Sequence, residues 1–232
     1  MKILLTRPLE QSRLLKTQLE AKGETVFCLP LIAIKPPKDK GIRLKKALKR
    51  LPQYHWLVLT SPNAVRAVAR YVGKFPKGLK VAAVGPKTFE ALRQLGVRAV
   101  KPKKNMGGDA LAALFKKSDI RGKNILYPQS SIGRDVLSRA LTKMGGRVDV
   151  IEAYQTVAIS VPPRKLKKIF QNKIDAVLFF SPSAVRSFKK NIRKAGLHLK
   201  GMRWVPFGPT TKAALRKEGF TPSPCGGVNS PE

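Results

Sequence analysis

The feature that most constrains this chain is that its pattern is written twice. Ile3-Leu4-Leu5 followed by Leu14-Leu15, Leu19, Gly23 and Val26 matches Ile125-Leu126-Tyr127 followed by Val136-Leu137, Leu141, Gly145 and Val148. Leu57-Val58-Leu59-Thr60-Ser61-Pro62-Asn63-Ala64-Val65-Arg66 matches Val177-Leu178-Phe179-Phe180-Ser181-Pro182-Ser183-Ala184-Val185-Arg186. Val84-Gly85-Pro86-Lys87-Thr88 with Ala91-Leu92 then matches Phe207-Gly208-Pro209-Thr210-Thr211 with Ala214-Leu215. Three matches in one order imply a duplicated half. Each half alternates short apolar runs with amphipathic stretches, the signature of βαβ units and parallel sheets. Ile3–Thr6 reads as a strand, Leu9–Lys22 as a helix closed by Gly23, and Thr25–Leu29 as the next strand. Pro36-Pro37 and Pro162-Pro163 read as stiff crossings between elements.

The strands are followed by four helix starts of a particular kind. Ser61-Pro62 and Ser181-Pro182 place Ser at the N-cap and Pro at the first helical position; Gly85-Pro86 and Gly208-Pro209 do so with Gly. In a parallel sheet these turns lie at the carboxyl ends of strands, where ligands of such folds bind. Outward N–H groups and the helix dipole suit carboxylate or phosphate there, and Asn63, Ser183, Lys87, Thr88, Thr210 and Thr211 add side-chain donors. Any one turn is explained by helix capping alone. Four of them, paired by the repeat, point to a cleft between two similar lobes for a ligand with several anionic groups.

Composition narrows the alternatives. With 43% hydrophobic residues a real core forms. Cys28 and Cys225 are too few for a disulfide framework, and His55 and His198 too few for a metal cluster or a readable Ser–His–Asp triad. The longest apolar stretch, Val26–Ile34, is broken by Pro30 and is too short to span a bilayer. The opening Met1–Arg7 reads as a short strand rather than a signal segment, so a soluble, cytoplasmic protein is expected. Lys and Arg number 47 against 13 Asp and Glu, a formal charge of +34. The basic runs at Ile42–Leu51 and Lys165–Phe170 read as solvated helix faces, and no nucleic-acid motif is present. The helix after Asn105-Met106-Gly107-Gly108-Asp109, over Ala110–Lys116, has no counterpart after Asn229-Ser230-Pro231-Glu232. A longer natural chain, or a loosely ordered tail after Phe220, is therefore expected.

The ordered set Leu4-Leu5-Thr6-Arg7-Pro8, the Ser-Pro turns, Val84-Gly85 with Thr88, Tyr127-Pro128 with Arg134, Glu152-Ala153-Tyr154-Gln155-Thr156, and Phe207-Gly208-Pro209-Thr210-Thr211 resembles the uroporphyrinogen-III synthase family. The resemblance implies two doubly wound, flavodoxin- or Rossmann-like α/β domains. One would be formed by residues 1–34 with 160–232 and the other by 38–154, joined by extended linkers near 31–37 and 155–161. It implies a reaction that cyclises hydroxymethylbilane, through a spiro intermediate, with loss of water and inversion of the last ring. No metal or organic cofactor, no membrane and no sequence-specific nucleic-acid partner is implied, and a monomer is expected. By resemblance, Tyr154 matches a tyrosine that assists departure of the hydroxyl. Thr88 and Thr211 match polar residues of the cleft, and the turns at Ser61 and Ser181 match segments whose amides bind substrate carboxylates. Arg7 and Arg134 are candidate carboxylate partners. A polyanion-binding protein without catalysis, or a basic nucleic-acid-binding protein, is the alternative.

Overall fold

The computed structural model describes residues 1–100, 102, 108–115, 118–133 and 135–224. In chain order its elements begin with β1 (Lys2–Leu5), α1 (Leu9–Glu20), β2 (Thr25–Cys28), β3 (Ile32–Lys35), α2 (Ile42–Lys49) and β4 (Trp56–Leu59). There follow α3 (Pro62–Ala69), β5 (Lys80–Ala83), α4 (Pro86–Arg93), α5 (Gly108–Phe115), β6 (Asn124–Ser130), α6 (Val136–Lys143) and β7 (Arg147–Ala158). The last part holds α7 (Pro163–Phe170), β8 (Ala176–Phe179), α8 (Pro182–Lys194), β9 (Arg203–Pro206) and α9 (Pro209–Lys217). The chain divides into two compact units, Met1–Ala33 with Val157–Glu232, and Ile34–Thr156.

The first unit is built on a four-stranded sheet of order β2-β1-β8-β9, with every neighbouring pair parallel. Its central strand β8 is apolar at every position and buried at every position, as a strand covered on both faces must be. Leu166, Val185, Phe188 and Leu215 from α7, α8 and α9 fill one face with Val177 and Phe179, while Leu15 and Leu19 of α1 meet Ile3, Leu5 and Leu178 on the other. Each such large apolar side chain contributes about 1.5–3 kcal/mol on burial.

The segment leading from β7 to α7 is tied down by a buried amide. Asn191 donates through Nδ2 to the carbonyls of Ile159 (2.9 Å) and Ser187 (2.8 Å), and its Oδ1 accepts from the Val161 N–H at 2.7 Å. Pro162-Pro163 is not a crossing between elements. Pro162 is the N-cap of α7 and Pro163 its first residue, where a missing N–H costs nothing because that donor has no helical partner. Nor is the tail loose directly after Phe220. The Ser223 N–H donates to the Trp204 carbonyl at 2.9 Å and Pro222 bridges to Trp204, so the chain runs beside β9 there. Residues beyond Pro224, and the Asn105–Gly107 lead-in to α5, lie outside the described residues.

The second unit carries the order β3-β7-β6-β4-β5, again parallel at the β4–β5, β4–β6 and β6–β7 pairs. β4 is buried throughout, like β8. One face is packed by α2, α3 and α4 through Leu44, Leu48, Val65, Val68 and Leu92, the other by α5 and α6 through Leu111, Phe115, Leu137 and Leu141. Tyr54 donates to Asp149 Oδ2 on β7. Burial, followed by this carboxylate, pushes the Tyr54 phenol up to about 12. Read through the sequence repeat, β2-β1-β8-β9 and β7-β6-β4-β5 are the same strands in the same order. In each sheet the direction of winding reverses at one place, between β1 and β8 or between β6 and β4.

Candidate functional site

In the second unit β4 ends at Leu59, and Ser61 turns the chain into α3. Its backbone is extended (φ −154°, ψ 150°), and its Oγ accepts the Ala64 N–H at 3.1 Å. Pro62 follows without a donor of its own. Ser181 repeats this in the first unit (φ −159°, ψ 152°), with its Oγ accepting the Ala184 N–H at 3.2 Å. Beside each Ser turn, on the neighbouring strand, lies a Gly turn. Gly85 has φ 88° and Gly208 φ 102°. A side chain is strained at such angles, which is the reason for Gly at both caps. The carboxyl edge of each sheet thus presents two helix N-termini next to each other, at or beside the place where the winding reverses.

The side chains expected at these turns are placed unequally. Asn63 and Ser183 are half-buried and each accepts from an arginine one turn on, Asn63 Oδ1 from Arg66 at 2.6 Å and Ser183 Oγ from Arg186 at 3.4 Å. Lys87 and Thr210 are exposed. Thr88 and Thr211 are buried, 2% and 1% exposed, so their hydroxyls sit under the helix starts rather than on the surface. Arg134 lies outside the described residues.

The chemistry of the second unit's edge centres on Tyr154. β6 and β7 run in regular register to Gln129↔Glu152, and then Ser130 pairs with Tyr154, so β7 carries one extra residue at Ala153. A bulge of this kind re-aims the next side chain. Tyr154 packs beside the cluster that contains Ile151 and Ala153, and its Oη lies 3.0 Å from Ser61 Oγ. The oxygen that caps α3 therefore also holds the phenol. Behind it Tyr127 Oη makes a long contact of 3.4 Å with Thr60 Oγ1, and burial pushes the Tyr127 phenol above its ordinary value. Glu152 has one buried carboxylate oxygen without a hydrogen-bond partner among the described residues.

The first unit's edge has a different character. Thr6 is fully buried and donates to the Leu178 carbonyl at 2.7 Å, locking the end of β1 to β8. Arg7 follows, with its guanidinium 4.5 Å from the centroid of the Phe180 ring. Phe180 is stacked on Phe207 at 4.5 Å with an interplanar angle of 18°. Burial lowers Arg7 from its usual value, and its Nε is buried without a hydrogen-bond partner among the described residues. The family resemblance singled out Arg7 and the sequence repeat the two caps, but neither singled out the aromatic pair. The available signal was the residue before each cap, which is Phe180 and Phe207 here against Thr60 and Val84 in the other unit.

A family model described as uroporphyrinogen-III synthase HemD matches residues 14–224. The uroporphyrinogen-III synthase of Synechococcus elongatus is 30% identical over 193 residues, covering 80% of this chain and 72% of the relative. That of Chlorobaculum parvum is 25% identical over 227 residues, covering 94% and 89%. Among solved structures, a mutant uroporphyrinogen III synthase from the extremely thermophilic bacterium Thermus thermophilus aligns with a TM-score of 0.65 at 18% identity, over 97% of this chain and 91% of that one. The synthetase from Helicobacter pylori 26695 gives 0.57 at 16%, over 96% and 91%. At these identities the structures carry the two-lobed α/β fold with parallel sheets, and the sequence relationship carries the family. Because the family model matches residues 14–224, nearly the whole chain, this chain belongs to the uroporphyrinogen-III synthase family.

Proposed function

We propose that the chain converts hydroxymethylbilane, a linear tetrapyrrole bearing eight carboxylates, into uroporphyrinogen III, closing the ring with loss of water and inversion of the last pyrrole. Family membership supports the reaction class. The observation that carries the assignment of residues is the Ser61–Tyr154 contact at the carboxyl edge of the sheet. In this reading the helix starts at Ser61, Gly85, Ser181 and Gly208 hold substrate carboxylates through their first-turn N–H groups. Asn63, Lys87, Thr88, Ser183, Thr210 and Thr211 border them, and Arg7 and Arg134 pair with further carboxylates.

Tyr154 acts on the departing hydroxyl. Ser61 Oγ accepts the Ala64 amide and keeps its own proton to offer Tyr154 Oη. The phenol proton is then directed at the substrate oxygen, which leaves as water when the carbon–oxygen bond breaks. The substituted carbon of the last ring attacks the cation that remains, giving a spiro intermediate. The spiro carbon's bond to the chain then breaks, the freed end bonds to the ring's other α-carbon, which inverts the ring, and the proton that carbon loses returns to the Tyr154 phenolate. Orientation supplies the selectivity, because a free bilane closes without inversion. No step in this reading calls for a metal or an organic cofactor. The same reading takes residues 1–34 with 160–232 and residues 38–154 as two domains descended from a duplicated half. The equivalent strand orders support that descent.

The test is anaerobic incubation of the purified chain with hydroxymethylbilane, followed by oxidation and chromatographic separation of the isomers. Type III product formed faster than spontaneous type I closure is the expected result. Type I product alone, at the uncatalysed rate, overturns the proposal.

A further inference from the structure

A ligand held at strand ends does not account for where most of the 47 Lys and Arg residues lie. In the first unit α8 packs against both α7 and α9, on one face of the sheet. Their apolar residues point inward to one buried cluster. What remains outside is almost uniformly cationic. α7 carries four Lys or Arg, α8 five and α9 three, and none of the three helices contains an Asp or Glu. All but Lys189 are exposed, and Lys189 lies over the Phe220 ring at 5.2 Å. The ion pairs among the described residues fall on other elements, so these charges are not neutralised there. Twelve like charges on adjoining helices repel one another, and a polyanion lying across them removes that repulsion.

We propose that this three-helix face is a docking surface for duplex nucleic acid, held through the phosphodiester backbone without reading of bases. Neighbouring helices lie about 8–10 Å apart and α8 has 13 residues, so the face measures roughly 20 Å by 20 Å. Duplex DNA presents one charge per ~1.7 Å of axis, both strands counted, or about twelve over that length, of which roughly half face one side, so the cations of the face are numerous enough to neutralise them. The composition of the surface argues against a lipid bilayer as the partner. Interfacial helices insert apolar side chains, whereas the large exposed apolar residues among the described ones, such as Leu14, Ile42 and Val136, all lie off α7, α8 and α9. Base readout is not supported either, since helices packed side by side present a broad face rather than one helix that enters a groove.

The experiment uses the full chain and a labelled 30-base-pair duplex of random sequence, with anisotropy titrations from 50 to 200 mM KCl. The triple variant Lys190→Glu, Arg193→Glu, Arg216→Glu alters the face. Lys45→Glu, Lys46→Glu, Lys49→Glu makes the same change in net charge on α2 of the other unit. Wild type should bind and lose ~10³-fold or more in affinity over that salt range. The face variant should bind more than about tenfold more weakly at 50 mM, with a salt slope reduced by ~0.9 for each phosphate no longer neutralised, and the α2 variant should stay close to wild type. Equal weakening of both variants overturns the proposal, because binding then follows net charge alone. Absence of duplex binding at 50 mM, or binding only to anionic phospholipid vesicles, overturns it as well. Both variants are compared by circular-dichroism melting. If the Glu substitutions unfold the face, the Gln versions of the same three positions give the comparison.

Discussion

Replacing Tyr154 by Phe separates its chemistry from its packing. The ring stays beside Ile151 and Ala153, and only the hydroxyl 3.0 Å from Ser61 Oγ is lost. A net hydrogen bond is worth about 0.5–1.5 kcal/mol. Ser61 Oγ keeps its bond from the Ala64 N–H, so no buried group is orphaned, and the cost falls at the lower end, below ~1 kcal/mol. For a chain of this size that lowers Tm by no more than about 4 °C. Turnover should fall far more. Positioned acid assistance is typically worth ~10²–10⁴-fold, and because the bilane also loses water unaided a drop of about 10- to 100-fold is expected. The molecule supplies its own control. Ser61 and Ser181 cap their helices with matching backbone angles and cap distances, but among the described residues only Ser61 also holds a tyrosine. Ser61→Ala and Ser181→Ala should each cost ~1 kcal/mol in urea unfolding. Only Ser61→Ala should slow the water-loss step, and combining it with Tyr154→Phe should add little further slowing. The assay is stopped-flow or initial-rate formation of uroporphyrinogen with the isomer ratio determined in parallel. Tyr154→Phe that makes type III product at the parent rate refutes the acid role, and Tyr154→Phe that fails to fold refutes the estimate of its packing.

Further outcomes follow from other parts of the structure. Gly208→Ala meets nothing within 4 Å, so its whole cost, about 1–3 kcal/mol in chemical denaturation, comes from φ 102°; an unchanged midpoint would mean that the turn relaxes. Asn191→Leu removes the partner of the Val161 N–H and leaves the Ile159 carbonyl only the long Ser187 hydroxyl contact, and should cost roughly 2–4 kcal/mol. Asn191→Asp should cost at least as much, because it sets a buried carboxylate against the Ile159 and Ser187 carbonyls. Tyr54, isolated as the difference in ultraviolet titration between wild type and Tyr54→Phe, should ionise near pH 12. Because its folded value is raised, its contribution is complete below the unfolded value of about 10 and is lost as pH rises towards 12. A difference spectrum that titrates near pH 10 contradicts the burial of the phenol beside Asp149.

What could be read from the sequence was local. β4 and β8 are four-residue apolar runs, each followed by a Ser that caps and a Pro that opens a helix, and this chemistry is complete within a few residues. Pro162-Pro163 was legible by the same rule, since Pro163 opens α7 as Pro62 opens α3, but its pairing with Pro36-Pro37 by position pointed to a crossing. The Ser61–Tyr154 contact was beyond reach. It joins residues 93 apart across an intervening strand, and it depends on one extra residue in β7 that leaves no mark in the alternation of side chains. The Arg7–Phe180–Phe207 stack has the same origin. It exists because β1, β8 and β9 are neighbours, and strand adjacency over such a separation is not encoded in periodicity. The burial of Thr88 and Thr211 was also hidden, because a Thr at the third helical position faces in or out according to the tilt of the helix on its sheet.

The central claim is that the four helix starts hold the carboxylates of the ligand. It is tested most directly by following backbone amide resonances of the labelled protein during anaerobic titration with uroporphyrinogen III. The account predicts the largest shifts at Asn63, Lys87, Ser183 and Thr210, the second residues of α3, α4, α8 and α9, and smaller ones at Ala64, Thr88 and Ala184, whose N–H groups already donate to Ser61 Oγ, the Gly85 carbonyl and Ser181 Oγ. They should saturate together and persist at about 200 mM salt, because oriented amides at close range are screened little. Shifts confined to the basic outer faces of α2 and α7, and abolished by that salt, would contradict it.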